Sequence, residues 1–106
     1  MSFIASARVP TDSASKYLQQ VCKHWEHNLP VCFDASHGEI IFAKDARGAN
    51  WPADATVSLD AEADALICTI QASSEGQRDG LKGALERHID RFAFREGPLV
   101  YNWIDR

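Results

Sequence analysis

The apolar residues of this chain recur with two different periods, and the order in which those periods follow one another limits the fold more than any single motif. Over residues 2–9, Phe3, Ala5, Ala7 and Val9 alternate with Ile4, Ser6 and Arg8, the period of two of a half-buried strand. Pro10 stops it. Ala14, Tyr17, Leu18, Val21, Cys22, Trp25 and Leu29 then recur at the three-and-four spacing of one helical stripe. Thr11, Asp12 and Ser13 offer N-caps, and the helix should run to about Asn28, with Pro30 ending it.

Val31 and Phe33 next face one way, Ser36, His37 and Gly38 make a turn, and residues 39–43 return as a second strand. Residues 44–53 have no period and read as a loop anchored by Trp51. Ala55, Val57 and Leu59 alternate with Thr56, Ser58 and Asp60, and after a turn at residues 61–64, Leu66, Cys68, Ile70 and Ala72 alternate with Ile67, Thr69 and Gln71. Ser74 with Gln77 resembles a capping box opening a second helix, whose stripe is Leu81, Ala84, Leu85, His88, Ile89 and Phe92. Gly76, Gly80 and Gly83 each cost that helix about 1 kcal/mol against alanine, so its early turns must lean on packing. Gly97 and Pro98 end it, and residues 99–103 form an extended tail.

The order is strand, helix, four strands, helix, tail. Sequential hairpin strands pair antiparallel, and two amphipathic helices must bury their stripes on one sheet face. The expected class is therefore α+β, an antiparallel sheet with two helices packed on one face, as one domain over residues 1–106. The order resembles the TATA-binding-protein-like fold. Ile4, Cys32, Ile41 and Ile67 should form an apolar group on the opposite face, a surface for a homodimer or a ligand floor.

Charge and composition exclude several functions. The chain of 106 residues carries a formal charge of −4, too acidic to neutralise a run of phosphates, so nucleic acid is a poor partner. No apolar run approaches the ~20 residues that span a bilayer, and residues 1–10 lack the regions of a signal peptide. A cytoplasmic protein without membrane contact is expected. Three cysteines, Cys22, Cys32 and Cys68, each inside a regular element and never in CxxC spacing, should be reduced thiols.

Three of the four histidines fall in two polar-aromatic clusters, KHWEH at residues 23–27 and HIDRFAFRE at residues 88–96. His24 and His27 share a helical flank while Cys22 points to nearly the opposite side, so CxHxxH is no ligand trio and no metal set is assigned. His88 lies inside the apolar stripe, where a histidine is usually satisfied by core hydrogen bonds. Arg91 and Arg95 continue its flank and would make an anion-receptive strip, unless Glu86, Asp90 and Glu96 engage them in a helix-end ion-pair network. Trp25, Phe92 and Phe94 suit the core better than a planar ligand, and Phe94 turns away from the stripe if the helix persists. No histidine partner can be read for a cysteine nucleophile, and no phosphate loop, dinucleotide fingerprint, HExxH or EF-hand pattern is present.

AxARVPTxxASKYLxQxCKHWxH over residues 5–27, FDxxxGxIxF over residues 33–42 and HIDRFAFREGPLxYxW over residues 88–103 resemble a bacterial family, the domain-of-unknown-function family 2218. The likeness covers essentially the whole chain and departs between residues 43 and 57, where this chain is longer. Family membership implies no established activity, but it does imply company with siderophore-interacting, iron-uptake proteins. On that resemblance the expected function is a small binding or accessory domain for iron or siderophore metabolism, with no cofactor of its own. Its partners would be a small anionic ligand or a siderophore-interacting protein. The ligand site would be a rim where Lys23, His24, Trp25 and His27 meet His88, Arg91, Phe94 and Arg95. Two alternatives stand beside it: an enzyme with His88 or His24 as general acid or base and Arg95 stabilising negative charge, and a structural dimerisation module.

Overall fold

The computed structural model describes residues 2–45 and 48–106. Strand β1 (Phe3–Pro10) leads into helix α1 (Ala14–Trp25), then β2 (Val31–Phe33), β3 (His37–Phe42), β4 (Ala55–Ala61), β5 (Ala65–Ala72), helix α2 (Glu75–Phe92), a 3-10 turn at Phe94–Glu96 and β6 (Ile104–Asp105). The strands form one antiparallel sheet in the order β2-β3-β4-β5-β1-β6. Both helices pack on one face of it. Ala5, Ala7 and Val9 of β1, Ile40 of β3, Val57 and Leu59 of β4, and Cys68 and Ile70 of β5 meet Leu18, Val21 and Cys22 of α1 and Leu85 and Ile89 of α2 in one apolar core. The α+β arrangement expected from the two periods is the one observed.

Helix α1 buries Ala14, Tyr17, Leu18, Val21, Cys22 and Trp25, the stripe read from the spacing, but stops three residues sooner than expected. The carbonyl of Trp25 accepts from the amides of both Asn28 and Leu29, which tightens the exit toward Pro30. The hairpin turn is also displaced. The Asp34 carboxylate accepts from the amides of Ser36 and His37 and from the Ser36 hydroxyl, so the bend falls at residues 34–36 and puts His37 and Gly38 in β3. Gly38 serves a close approach there, since a Cβ would lie 2.7 Å from the Cys22 sulfur. At the other helix, the Ser74 hydroxyl accepts from the Gln77 amide as expected of the N-cap.

The C-terminal strand begins at Ile104, immediately past the expected tail, and a strap of polar contacts holds it to α2. Asp105 pairs with Lys82 at 2.6 Å and Arg78 at 3.4 Å, the Tyr101 hydroxyl donates to Asp90 at 2.9 Å, and Trp103 Nε1 donates to Glu86 at 2.8 Å. The outer sheet face carries Ile4, Cys32, Ile41 and Ile67 as expected; Cys32 and Ile41 line one hollow together, but Ile4 and Ile67 stand apart from them. Gln71 and Thr56 stand between Ile4 and Ile41, Ile67 lies between Arg8 and Asp60, and Cys32 faces Glu39. Register thus disperses Ile4 and Ile67 among polar side chains. Among the described residues no helix is long and apolar enough to cross a membrane.

Candidate functional site

A cleft of about 390 Å³ opens where the C-terminal end of α1, the middle of α2, the end of β3 and the loop before β4 meet. Trp25 forms its wall. This indole is buried in the core, stands edge-on to Phe42 with ring centroids 5.2 Å apart, and lies 4.5 Å from the His88 ring. Leu29, Phe42, Trp51, Leu81 and Ala84 add apolar surface, and His24, Asn28, Gln77, Arg87 and His88 add polar groups. A mostly apolar concavity with a few convergent polar side chains is the usual form of a small-molecule site.

The loop over the cleft is tied down at Gln77. Its amide donates to the Ala53 carbonyl at 3.0 Å, while its carbonyl oxygen accepts from the Ser73 amide and hydroxyl. The Gln77 side chain therefore ties the loop to the start of α2, where a capping box would have turned it back onto Ser74. Trp51 rests against Gly76, with two ring atoms 3.2 Å from where a Cβ would stand. The glycines that weaken α2 have positional reasons. Gly76 admits Trp51, Gly80 lines the cleft, and Arg87 Nη1 folds back to 3.1 Å from the Cβ position of Gly83.

The two histidine clusters converge at the mouth. His24 of α1 and His88 of α2 have ring centroids 5.1 Å apart, and Phe92 stands edge-on to His24 at 6.3 Å. His88 Nδ1 lies 2.6 Å from the Ala84 carbonyl oxygen. A carbonyl only accepts, so Nδ1 carries the proton and Nε2 of the neutral ring is left as an acceptor. Desolvation, followed by repulsion from His88, Arg91 and His27 in their charged forms, holds the His24 imidazole below its ordinary value. Glu86, Asp90 and Glu96 do not form the expected ion-pair network with the arginines. Trp103 engages Glu86, Tyr101 and the Leu99 amide engage Asp90, and Thr11 and Tyr17 engage Glu96. Among the described residues no carboxylate lies within ion-pair distance of Arg87, Arg91 or Arg95.

Of the residues expected at the rim, His24, Trp25 and His88 line the cleft, and Arg91 lies near enough to act on His24. Lys23 and His27 are exposed at the end of α1, outside the lining. Phe94 and Arg95 are carried away because α2 ends at Phe92. Phe94 is 69% exposed and Arg95 stacks over its ring at 5.7 Å. His88 is half-buried at the mouth, since the fully buried line of α2 runs through Leu85 and Ile89 beside it. Arg87, Trp51 and Phe42 were missed as site residues. The available signal was the spacing of Gly76, Gly80 and Ala84, small residues every fourth position that leave one helix face hollow.

The buried cysteines, Cys22 and Cys68, offer no nucleophile. Burial pushes the Cys22 thiol up to about 11 and the Cys68 thiol up to about 12. Among the described residues no group of three or more histidines, cysteines and carboxylates could hold a metal ion. The model of a family described as uncharacterised protein conserved in bacteria, DUF2218, matches residues 6–104. The NMR structure of PA4090 from Pseudomonas aeruginosa is similar over 96% of this chain and 95% of that one, with 24% identity and a TM-score of 0.75, which supports the fold. No curated protein matches the chain.

Proposed function

The chain belongs to DUF2218, a family of uncharacterised proteins conserved in bacteria, and from that premise we propose that it is a small binding domain whose cleft takes a compact planar anion. One observation carries the reading. Glu86 and Asp90 of α2 are engaged by the tail, and Glu96 of the following turn by Thr11 and Tyr17, which leaves Arg87 in the lining of an aromatic hollow, with Arg91 near its His24, in an acidic chain. Guanidinium groups without a carboxylate partner hold carboxylate or phosphate oxygens well, while Trp25 and Trp51 supply faces for a ring. The volume sits near the low end of the ~300–1,000 Å³ typical of such sites, which suits one or two rings better than a whole multidentate chelator.

The iron-uptake company implied by the sequence resemblance narrows the anion to an aromatic acid or catechol of the kind that builds iron chelators. A siderophore-interacting protein would be the partner that receives or supplies it. Calorimetry and thermal shift with salicylate, 2,3-dihydroxybenzoate, benzoate and phenyl phosphate test this directly. A ligand at a hundred times its dissociation constant adds about 2.7 kcal/mol to folding, and Arg87→Ala should weaken binding at least tenfold with the fold intact. No response to any aromatic anion would end the proposal.

A second reading, an enzyme, has one feature in its favour. The Ala84 carbonyl fixes the His88 tautomer, as general bases are often fixed, and leaves Nε2 for a substrate proton. Arg87 would take the charge-stabilising role expected of Arg95. Turnover of an aryl ester or β-keto acid that disappears in His88→Gln would favour it over simple binding.

A further inference from the structure

We propose that His24 and His88 together ligate a divalent transition-metal ion, and that the cleft takes its planar anion as a chelate of that ion. The inference rests on reading the cleft as an anion site and adds a metal to it. Two imidazoles sharing one ion through bonds of about 2.0–2.1 Å place their ring centres roughly 5 Å apart at a tetrahedral angle. The observed separation is 5.1 Å, between residues on different helices.

The surroundings of both rings fit ligation. His88 donates its Nδ1 proton to a backbone carbonyl, the arrangement that commonly orients a metal-binding histidine and frees Nε2 for the metal. Trp25, rigid in the core, holds the His88 ring at 4.5 Å, and Phe92 flanks His24.

The incomplete ligand set determines what else must bind. Among the described residues no third histidine, cysteine or carboxylate joins the pair, so the remaining positions fall to the ligand. The positive charge of Arg91 and Arg87 opposes a bare cation and favours the same ion carrying an anionic chelator. Imidazole suits copper, nickel and zinc, which makes a bidentate aromatic acid on one of these the matching species.

The test titrates the full chain with copper(II), with pyridine-2-carboxylate, and with their one-to-one complex, using benzoate as a ring anion that does not chelate. The expected result is at least tenfold tighter binding of each component in the presence of the other, as reciprocal coupling requires. Copper electron paramagnetic resonance should show nitrogen couplings from protein imidazoles, reduced in His24→Ala and in His88→Ala. Arg87→Ala should lose the chelator's contribution and keep the imidazole signature. If the aromatic anions bind equally well without copper, the metal inference is wrong and the anion site stands. Copper binding with no gain from the chelator also overturns it. If no aromatic anion binds with or without metal, the anion site itself fails.

Discussion

Gly38 of β3 sits directly over Cys22 of α1, so close that a Cβ at Gly38 would stand 2.7 Å from the thiol sulfur and 3.3 Å from the Phe33 Cβ. Both neighbours belong to packed elements, and Cys22 is fully buried. Gly38→Ala should therefore destabilise the fold by about 1–3 kcal/mol through overpacking. Removing the sulfur relieves the clash, so Gly38→Ala with Cys22→Ala should lose less than the two single losses added together. Urea denaturation of the four proteins in that cycle measures the coupling directly.

Glu96 closes the other end of the molecule. Its carboxylate accepts from the Thr11 hydroxyl at 3.0 Å and from the Tyr17 hydroxyl, and joins the turn after α2 to the start of α1. Tyr17 is only 4% exposed, so Glu96→Ala leaves a buried phenol without its acceptor and should cost about 1–3 kcal/mol. The Glu96 hydrogen bond is also the main cause holding the Tyr17 phenol above its ordinary pKa. Phenolate absorbance in the variant should rise at a lower pH than in the parent.

The fold was legible because periodicity is a property of each segment alone: six of the seven stripe residues of the first helix proved buried in α1, and the seventh, Leu29, packs just past its end. The displaced hairpin turn was not legible, since it depends on one Asp34 carboxylate gathering three donors, and glycine at 38 imitates a turn residue. At the site, the meeting of His24, Trp25 and His88 followed from placing two helix ends side by side. What could not follow was the partnering of Glu86, Asp90 and Glu96. That these carboxylates accept from Trp103, Tyr101 and Tyr17 and not from the nearby arginines is set by tail and helix contacts between 11 and 79 positions apart in the chain. Trp51 and Phe42 reached the cleft from the long loop and a strand end, where period carries no information about direction.

Gly80 separates stability from binding. A Cβ there meets nothing within 4 Å, yet the residue lines the cleft. Gly80→Ala should stabilise α2 by up to about 0.8–1.0 kcal/mol by helix preference alone. Gly80→Leu places a branched side chain in the hollow and should abolish binding of any aromatic anion without unfolding the protein. Thermal melts beside calorimetry distinguish the two effects, and a leucine variant that still binds would move the ligand elsewhere.

His24 and His37 should shift stability with pH in opposite directions. Asp60, 2.6 Å from His37 Nδ1, and then Glu39 hold the His37 imidazole above its ordinary value near 6.5. Protonated His37 therefore favours the folded state. Its contribution is full below the unfolded value and is lost as pH rises through the raised folded one. His24 is held below 6.5, first by desolvation and then by neighbouring positive charge, so its neutral form favours folding. That contribution is present above 6.5 and is lost as pH falls through the depressed folded value. Both side chains are well exposed, so the His37 pair is worth only about 0.2–1 kcal/mol after solvent screening. His37→Ala should flatten the loss of stability above pH 6.5, and His24→Ala should flatten the loss below it. Binding of an anion beside His24 opposes the positive charge that depresses it, so its pKa should rise on saturation with salicylate and the complex should take up protons. Histidine ring resonances followed by NMR across pH 5–8, with and without salicylate, measure both shifts. A His24 resonance that titrates identically in the two samples would place the anion away from the histidine pair.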